Sequence, residues 1–161
     1  MSVAAQISRN YRDPGGVVAY WVSQPYHEGR SLMMLMAGCA FLCVSVIPNV
    51  VLLQDGGPTE ARVSAAIFAW LFVAPLALYL LAGLIYLGLR LSRARPSAYA
   101  TRLVLFWSIL AAAPLWLLNG AGLVIPMRAV SLTIGFVAFT GFLLLIILNF
   151  KALLRLTEAD Q

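Results

Sequence analysis

Four apolar runs dominate the chain, at 32–53, 63–89, 103–125 and 129–150. Each reaches or exceeds the roughly 20 helical residues needed to cross a ~30 Å hydrocarbon core. Lipid offers no partner to a backbone N–H or C=O, and none of the runs alternates polar and apolar residues as a barrel strand does, so each must be a helix. The fold class that follows is all-α: a polytopic membrane protein built as a bundle of four transmembrane helices. With 62% hydrophobic and 11% charged residues, the chain lies far from the roughly 45–50% and 25% of a soluble domain. The same figures exclude intrinsic disorder, which needs low hydrophobicity and high charge.

The connectors set the expected organisation. Residues 1–31 form a mixed polar segment without the pattern of a signal peptide. Val3 and Ile7, then Val17, Val18, Trp21 and Val22, recur at near-helical spacing on either side of Asp13-Pro14-Gly15-Gly16. That pattern predicts two short amphipathic segments along the headgroups, broken at the Asp-Pro. A turn-rich loop with Gly56, Gly57 and Pro58 separates the first two spans, and Thr59 and Glu60 are placed to cap and charge the next helix start. The second run, at about 40 Å of helix, is longer than the core and must tilt, kink at Pro75 or project beyond it. Residues 151–161 are expected to be a short polar tail.

Arginine dominates the net charge of +5, and placement gives it meaning. The basic residues flank the apolar runs, where cations meet anionic headgroups, so the expected partner is lipid rather than nucleic acid. Arg90, Arg93, Arg95 and Arg102 are the candidate headgroup contacts. Arg9, Arg12, Arg30, those four arginines, Lys151 and Arg155 fall on one side of the alternating spans and Arg62 and Arg128 on the other, nine against two. By the positive-inside rule both termini and the middle loop face the cytoplasm. The Ala/Leu/Arg-rich usage fits a bacterial chain, hence a bacterial inner membrane.

Chemistry is sparse. No ionisable side chain stands inside any apolar run, which counts against ion-coupled transport and intramembrane acid–base catalysis. The single histidine, His27, lies outside the spans beside an acid–base pair. Its conceivable haem partners, Met33, Met34 and Met36, follow on a neighbouring turn rather than an opposing helix. Cys39 and Cys43 are one turn apart, a spacing unsuited to a disulfide and lacking further metal ligands, so they read as packing residues. The expectation is no enzyme, no cofactor and no metal.

The polar residues within the spans are Ser45, Asn49, Ser108, Asn119, Ser131, Thr133, Thr140 and Asn149. Asn119 stands out, about one turn past Pro114, because a proline frees a carbonyl in the turn before it. Asn49, Pro75, Pro114 and Asn119 are therefore candidate interhelical polar and kink positions. Ala61, Ala65, Ala69 and Ala77 repeat at i+4 multiples and form a candidate close-packing stripe, expected to meet another helix of this chain more than another subunit.

The run Phe68-Ala69-Trp70-Leu71-Phe72-Val73-Ala74-Pro75-Leu76-Ala77-Leu78-Tyr79, the stretch Tyr99 to Ser108 leading to Pro114, and Glu28-Gly29-Arg30 ahead of the first span resemble short bacterial members of the Yip family. That family is named for Ypt/Rab-GTPase interaction in eukaryotes. The resemblance implies a non-enzymatic, all-helical integral membrane protein that organises membrane or assists assembly of partner proteins. A small accessory subunit of a respiratory, photosynthetic or transport complex is the alternative, and a solute carrier, resting on Asn119 and the prolines, a more distant one.

Overall fold

The computed structural model describes residues 2–52, 58–91, 96–123 and 127–159. All regular structure among them is helical: α1 Val3–Asn10, α2 Pro14–Val22, α3 Glu28–Leu52, α4 Thr59–Arg90, α5 Ala98–Gly122 and α6 Arg128–Ala159. The last four are long and apolar enough to cross a membrane.

Short-range chemistry explains several boundaries. The Ser2 hydroxyl accepts from the Ala5 N–H (3.3 Å) to open α1, and the Ser97 hydroxyl accepts from Ala100 N–H (3.1 Å) to open α5. Between α1 and α2 the Asp13 carboxylate accepts from Gly16 N–H at 2.8 Å, with Pro14 in the first helical turn. The Asp-Pro therefore ends one helix and starts the next. A Cβ on Gly16 would lie 2.1 Å from that carboxylate, so glycine is what lets the cap close. Thr59 does not act as the expected cap. Pro58 occupies the cap position of α4 without a side-chain bond, and the Thr59 hydroxyl instead accepts from the Arg62 guanidinium (3.1 Å).

The three prolines have three different outcomes. Pro48 is carried inside an unbroken α3. Ahead of Pro75, α4 widens into a π turn at Ala69–Val73, which absorbs the missing N–H without ending the helix. At Pro114, α5 breaks: the Leu115 and Trp116 N–H groups both turn to Ala112 O (3.0 and 3.2 Å), and the helix resumes from Ala113. α6 runs through Lys151 and Arg155 to Ala159, so most of the expected polar tail is helical. The apolar run marks the length of lipid a helix crosses, not the length of the helix, and Lys, Leu, Arg and Ala all favour continuing it.

α5 is the central stave. Of its most apolar stretch 67% is buried, against 28% for α3 and 11% for α4 and α6. α3, α4, α6 and the α1–α2 pair all pack against it. Leu35, Cys39, Leu103, Phe106, Trp107 and Ile109 form the middle of the core. α3 and α5 run in parallel, with Glu28 against Arg102 at one end and Ser45 against Gly120 at the other. α6 returns antiparallel to them, bringing Leu153 to Val104 and Asn149 to Ser108. The end of the bundle holding the starts of α3 and α5 and the close of α6 also holds α2, through Val18 against Ala100, Val104 and Leu153.

Candidate functional site

Two features of the bundle combine polar chemistry with space or with burial. The first is a cavity of about 460 Å³ between α3, α4, α5 and α6, a volume in the range of small-ligand sites. Ser45 and Asn49 reach it from α3, Trp70, Ala74 and Ala77 from α4, Trp116 and Asn119 from α5, and Phe142 and Ile146 from α6. Trp116 and Phe142 meet edge to face with centroids 5.4 Å apart, holding α5 to α6 at the cavity wall. α4 and α6 make no close backbone approach among the described residues, and the cavity lies between them. Its lining contains no charged group, and the Ser45 hydroxyl is already committed to Leu42 O at 2.7 Å. Such a space suits an apolar occupant or a neutral one that hydrogen-bonds an amide; it offers no acid, base or nucleophile.

The structure brings Asn49 and Asn119 to this one cavity, Asn49 exposed at its rim and Asn119 half-buried. Pro75 is buried and does not line the cavity, and Pro114 is exposed at the break in α5. The alanine stripe divides. Ala61, Ala65 and Ala69 lie exposed on the outer face of α4, whereas Ala77 turns into the cavity. The π turn between them inserts an extra residue per turn and rotates everything that follows, so the i+4 repeat does not stay on one face. The expected packing of this stripe inside the chain is thus replaced by an outward-facing small-residue face. Of the candidate headgroup contacts, Arg90 is exposed at the end of α4, and Arg93 and Arg95 lie outside the described residues. Arg102 donates from Nη2 to Glu28 Oε1 at 2.6 Å, and the Tyr26 hydroxyl donates to the same oxygen. The hydrogen bond to that carboxylate holds the Tyr26 phenol above its ordinary range, since ionising the phenol would give up the donated proton.

The second feature is a polar seam along α5, which fastens the α1–α2 pair and α6 to it. Trp107 donates its indole N–H to Asn10 Oδ1 (3.1 Å, buried), and the Tyr11 hydroxyl donates to Ala111 O (2.8 Å). The second bond has a specific cause. At the Pro114 break Leu115 N–H bonds Ala112 rather than Ala111, leaving the Ala111 carbonyl without its helical partner, and Tyr11 supplies one. On the other side Asn149, fully buried, donates to Ser108 Oγ (2.9 Å), which donates onward to Val104 O (2.7 Å). Trp21 packs against Trp107 with ring centroids 5.1 Å apart and planes tilted by 46°.

Neither Asn10 nor Tyr11 is singled out by the sequence, because their partners lie at the far side of the chain. The Ala112–Pro114 break does carry a signal, since a freed carbonyl in an apolar setting demands a donor, but the many donor side chains of residues 1–31 leave Tyr11 undistinguished. No protein-family model, curated protein or solved structure matches the chain. Among the described residues no three His, Cys, Asp or Glu side chains are grouped as a metal site requires.

Proposed function

We propose that this chain is a non-enzymatic integral membrane protein of a bacterial cytoplasmic membrane that holds partner membrane proteins beside it in the bilayer. The observation that carries the reading is the outward-facing row Ala61, Ala65 and Ala69 on α4. Association of helices in lipid gains nothing from hydrophobicity and depends on close backbone approach, which small residues permit. The row is flanked on the outer face by the exposed, mutually stacked Phe68 and Phe72, whereas the second half of α4 exposes Leu76, Leu80, Leu84 and Leu87 and no alanine row. The partner face therefore belongs to the first half of α4 and takes a transmembrane helix.

The charge distribution, nine basic residues against two, supports an orientation with both termini and the 90–102 segment cytoplasmic. The resemblance to the Yip family supports the same class of role, organising membrane or assisting partner assembly. A photo-crosslinking residue introduced at Ala65 is expected to capture a discrete membrane protein in intact membranes, and one at Leu84 to capture lipid. Capture of lipid alone from both positions refutes the proposal. Ala65→Leu and Ala69→Leu, which need no change inside the bundle, are expected to abolish the protein crosslink while leaving thermal unfolding unaltered.

A further inference from the structure

The α1–α2 pair packs on α5 and α6 but does not make backbone contact with α3 among the described residues. The gap that results is a cavity of about 640 Å³. We propose that it is a binding site for one anionic glycerophospholipid, with the phosphate on Arg30 and one acyl chain lying along α3. The inference rests only on the bundle crossing a bilayer and is independent of whether α4 holds a partner.

Three observations fix the occupant. One wall of the cavity is a helical stripe of α3 in which Arg30 is followed by Met33, Met34, Ala37 and Phe41. From Arg30 to Phe41 is about 16 Å of helix, close to half of the ~30 Å hydrocarbon core and so to the depth of one leaflet. A cation at one end and a leaflet's depth of apolar wall below it match the charge and length of a single phospholipid.

The cation is also unspent. Glu28, on the neighbouring turn, is taken by Arg102 and Tyr26. Arg30 itself has a long bond to Pro25 O (3.4 Å) and lies over the Trp21 ring at 6.0 Å, with no carboxylate partner among the described residues. Its guanidinium keeps donors for a phosphate, the anion that this fork suits. His27 lines the same end and adds a donor. Trp21, on the opposite wall, has its indole N–H buried with no protein acceptor among the described residues. The methionines, flexible and polarizable, suit a wall that conforms to a chain of variable unsaturation.

The test is native mass spectrometry of the full chain in mild detergent, delipidated and then titrated with phosphatidylglycerol, phosphatidylcholine or inorganic phosphate. One phosphatidylglycerol is expected to bind roughly fivefold or more tighter than phosphatidylcholine, the effect of about one basic residue at a membrane surface, and inorganic phosphate alone is expected not to bind detectably. Arg30→Gln should reduce the anionic lipid to the level of the zwitterionic one, and Arg90→Gln should not. Ala37→Phe fills the cavity and should remove both; Ala4→Phe, from the α1 wall, gives the same readout without touching α3. Equal binding of the two lipids by the unmodified chain, or an anionic preference that survives Arg30→Gln, overturns the proposal. So does lipid binding that persists with the cavity filled in a folded variant. None of these outcomes bears on crosslinking at Ala65, so the two readings fail separately.

Discussion

Gly120→Ala tests the packing of the bundle at its tightest crossing. A Cβ at Gly120 would lie 2.3 Å from Ser45 O and 2.8 Å from Ser45 Cα. Both atoms are backbone of α3, so no rotamer change can relieve the contact. Restoring ordinary contact requires α3 and α5 to part by about 1 Å, and a gap of that size forfeits a quarter to a half of the dispersion energy of the pairs it separates. Overpacking of this kind costs about 1–3 kcal/mol, and the rigidity of both backbones puts Gly120→Ala toward the upper figure. Unfolding of the purified protein by rising SDS fraction in dodecyl maltoside, followed by tryptophan fluorescence, reads the change. Gly83→Ala is the control: nothing lies within 4 Å of the added carbon, and alanine is the better helix former, so that variant should be unchanged or more stable. Equal midpoints for Gly120→Ala and the parent protein, or an equal loss for both substitutions, refute the close α3–α5 crossing.

Further outcomes follow from the polar seam and the N-terminal cap. Tyr11→Phe removes the donor that serves Ala111 O and should cost about 0.5–1.5 kcal/mol, read as faster proteolysis within residues 1–25 while the spans stay protected. Ser108→Ala and Asn149→Ala should be non-additive, with a coupling near 0.6 kcal/mol in a double-mutant cycle of SDS unfolding; full additivity contradicts the buried bond. The Asp13 carboxyl is held below its ordinary value by the Gly16 N–H and then by Arg9. Its folded pKa is thus depressed, so the capping contribution is present above the unfolded value and is lost as pH falls through the folded one. The Gly16 amide proton resonance should therefore shift only at acid pH, below the ordinary aspartate value of 3.8, and Asp13→Asn should abolish that titration.

The four spans are legible in the sequence because lipid imposes one rule on every residue of a run, and no tertiary detail can override it. Helix ends are less so: α6 continues past Lys151 to Ala159 because its residues favour helix whether or not lipid surrounds them. The central position of α5 leaves a trace, since its mean hydropathy of 1.8 is the lowest of the four, against 2.2 for α3 and α4 and 2.5 for α6. A helix wrapped by protein has less need of apolar side chains than one facing lipid. The Pro75 and Pro114 kinks are visible in the sequence, but their consequences depend on geometry. The π turn sends Ala77 away from Ala61, Ala65 and Ala69, and the freed Ala111 carbonyl finds Tyr11 only because α2 has anchored the N-terminal pair on α6. The cavity beside α3 is not legible for the same reason: the spacing predicts α1 and α2 along the headgroups and does not show which helices they pack on.

Four spans with both ends on the cytoplasmic side are the arrangement on which every other role depends, and cysteine accessibility measures it directly. In a chain with Cys39 and Cys43 replaced, single cysteines at Ser2, Ser97 and Gln161 should be shielded from an impermeant thiol reagent in whole cells, and one at Gly57 should react; all four should react once the membrane is opened. Reaction at position 97 with protection at 57 reverses the orientation, and reaction at 161 but not at 2 makes the number of spans odd and contradicts the four-helix arrangement itself.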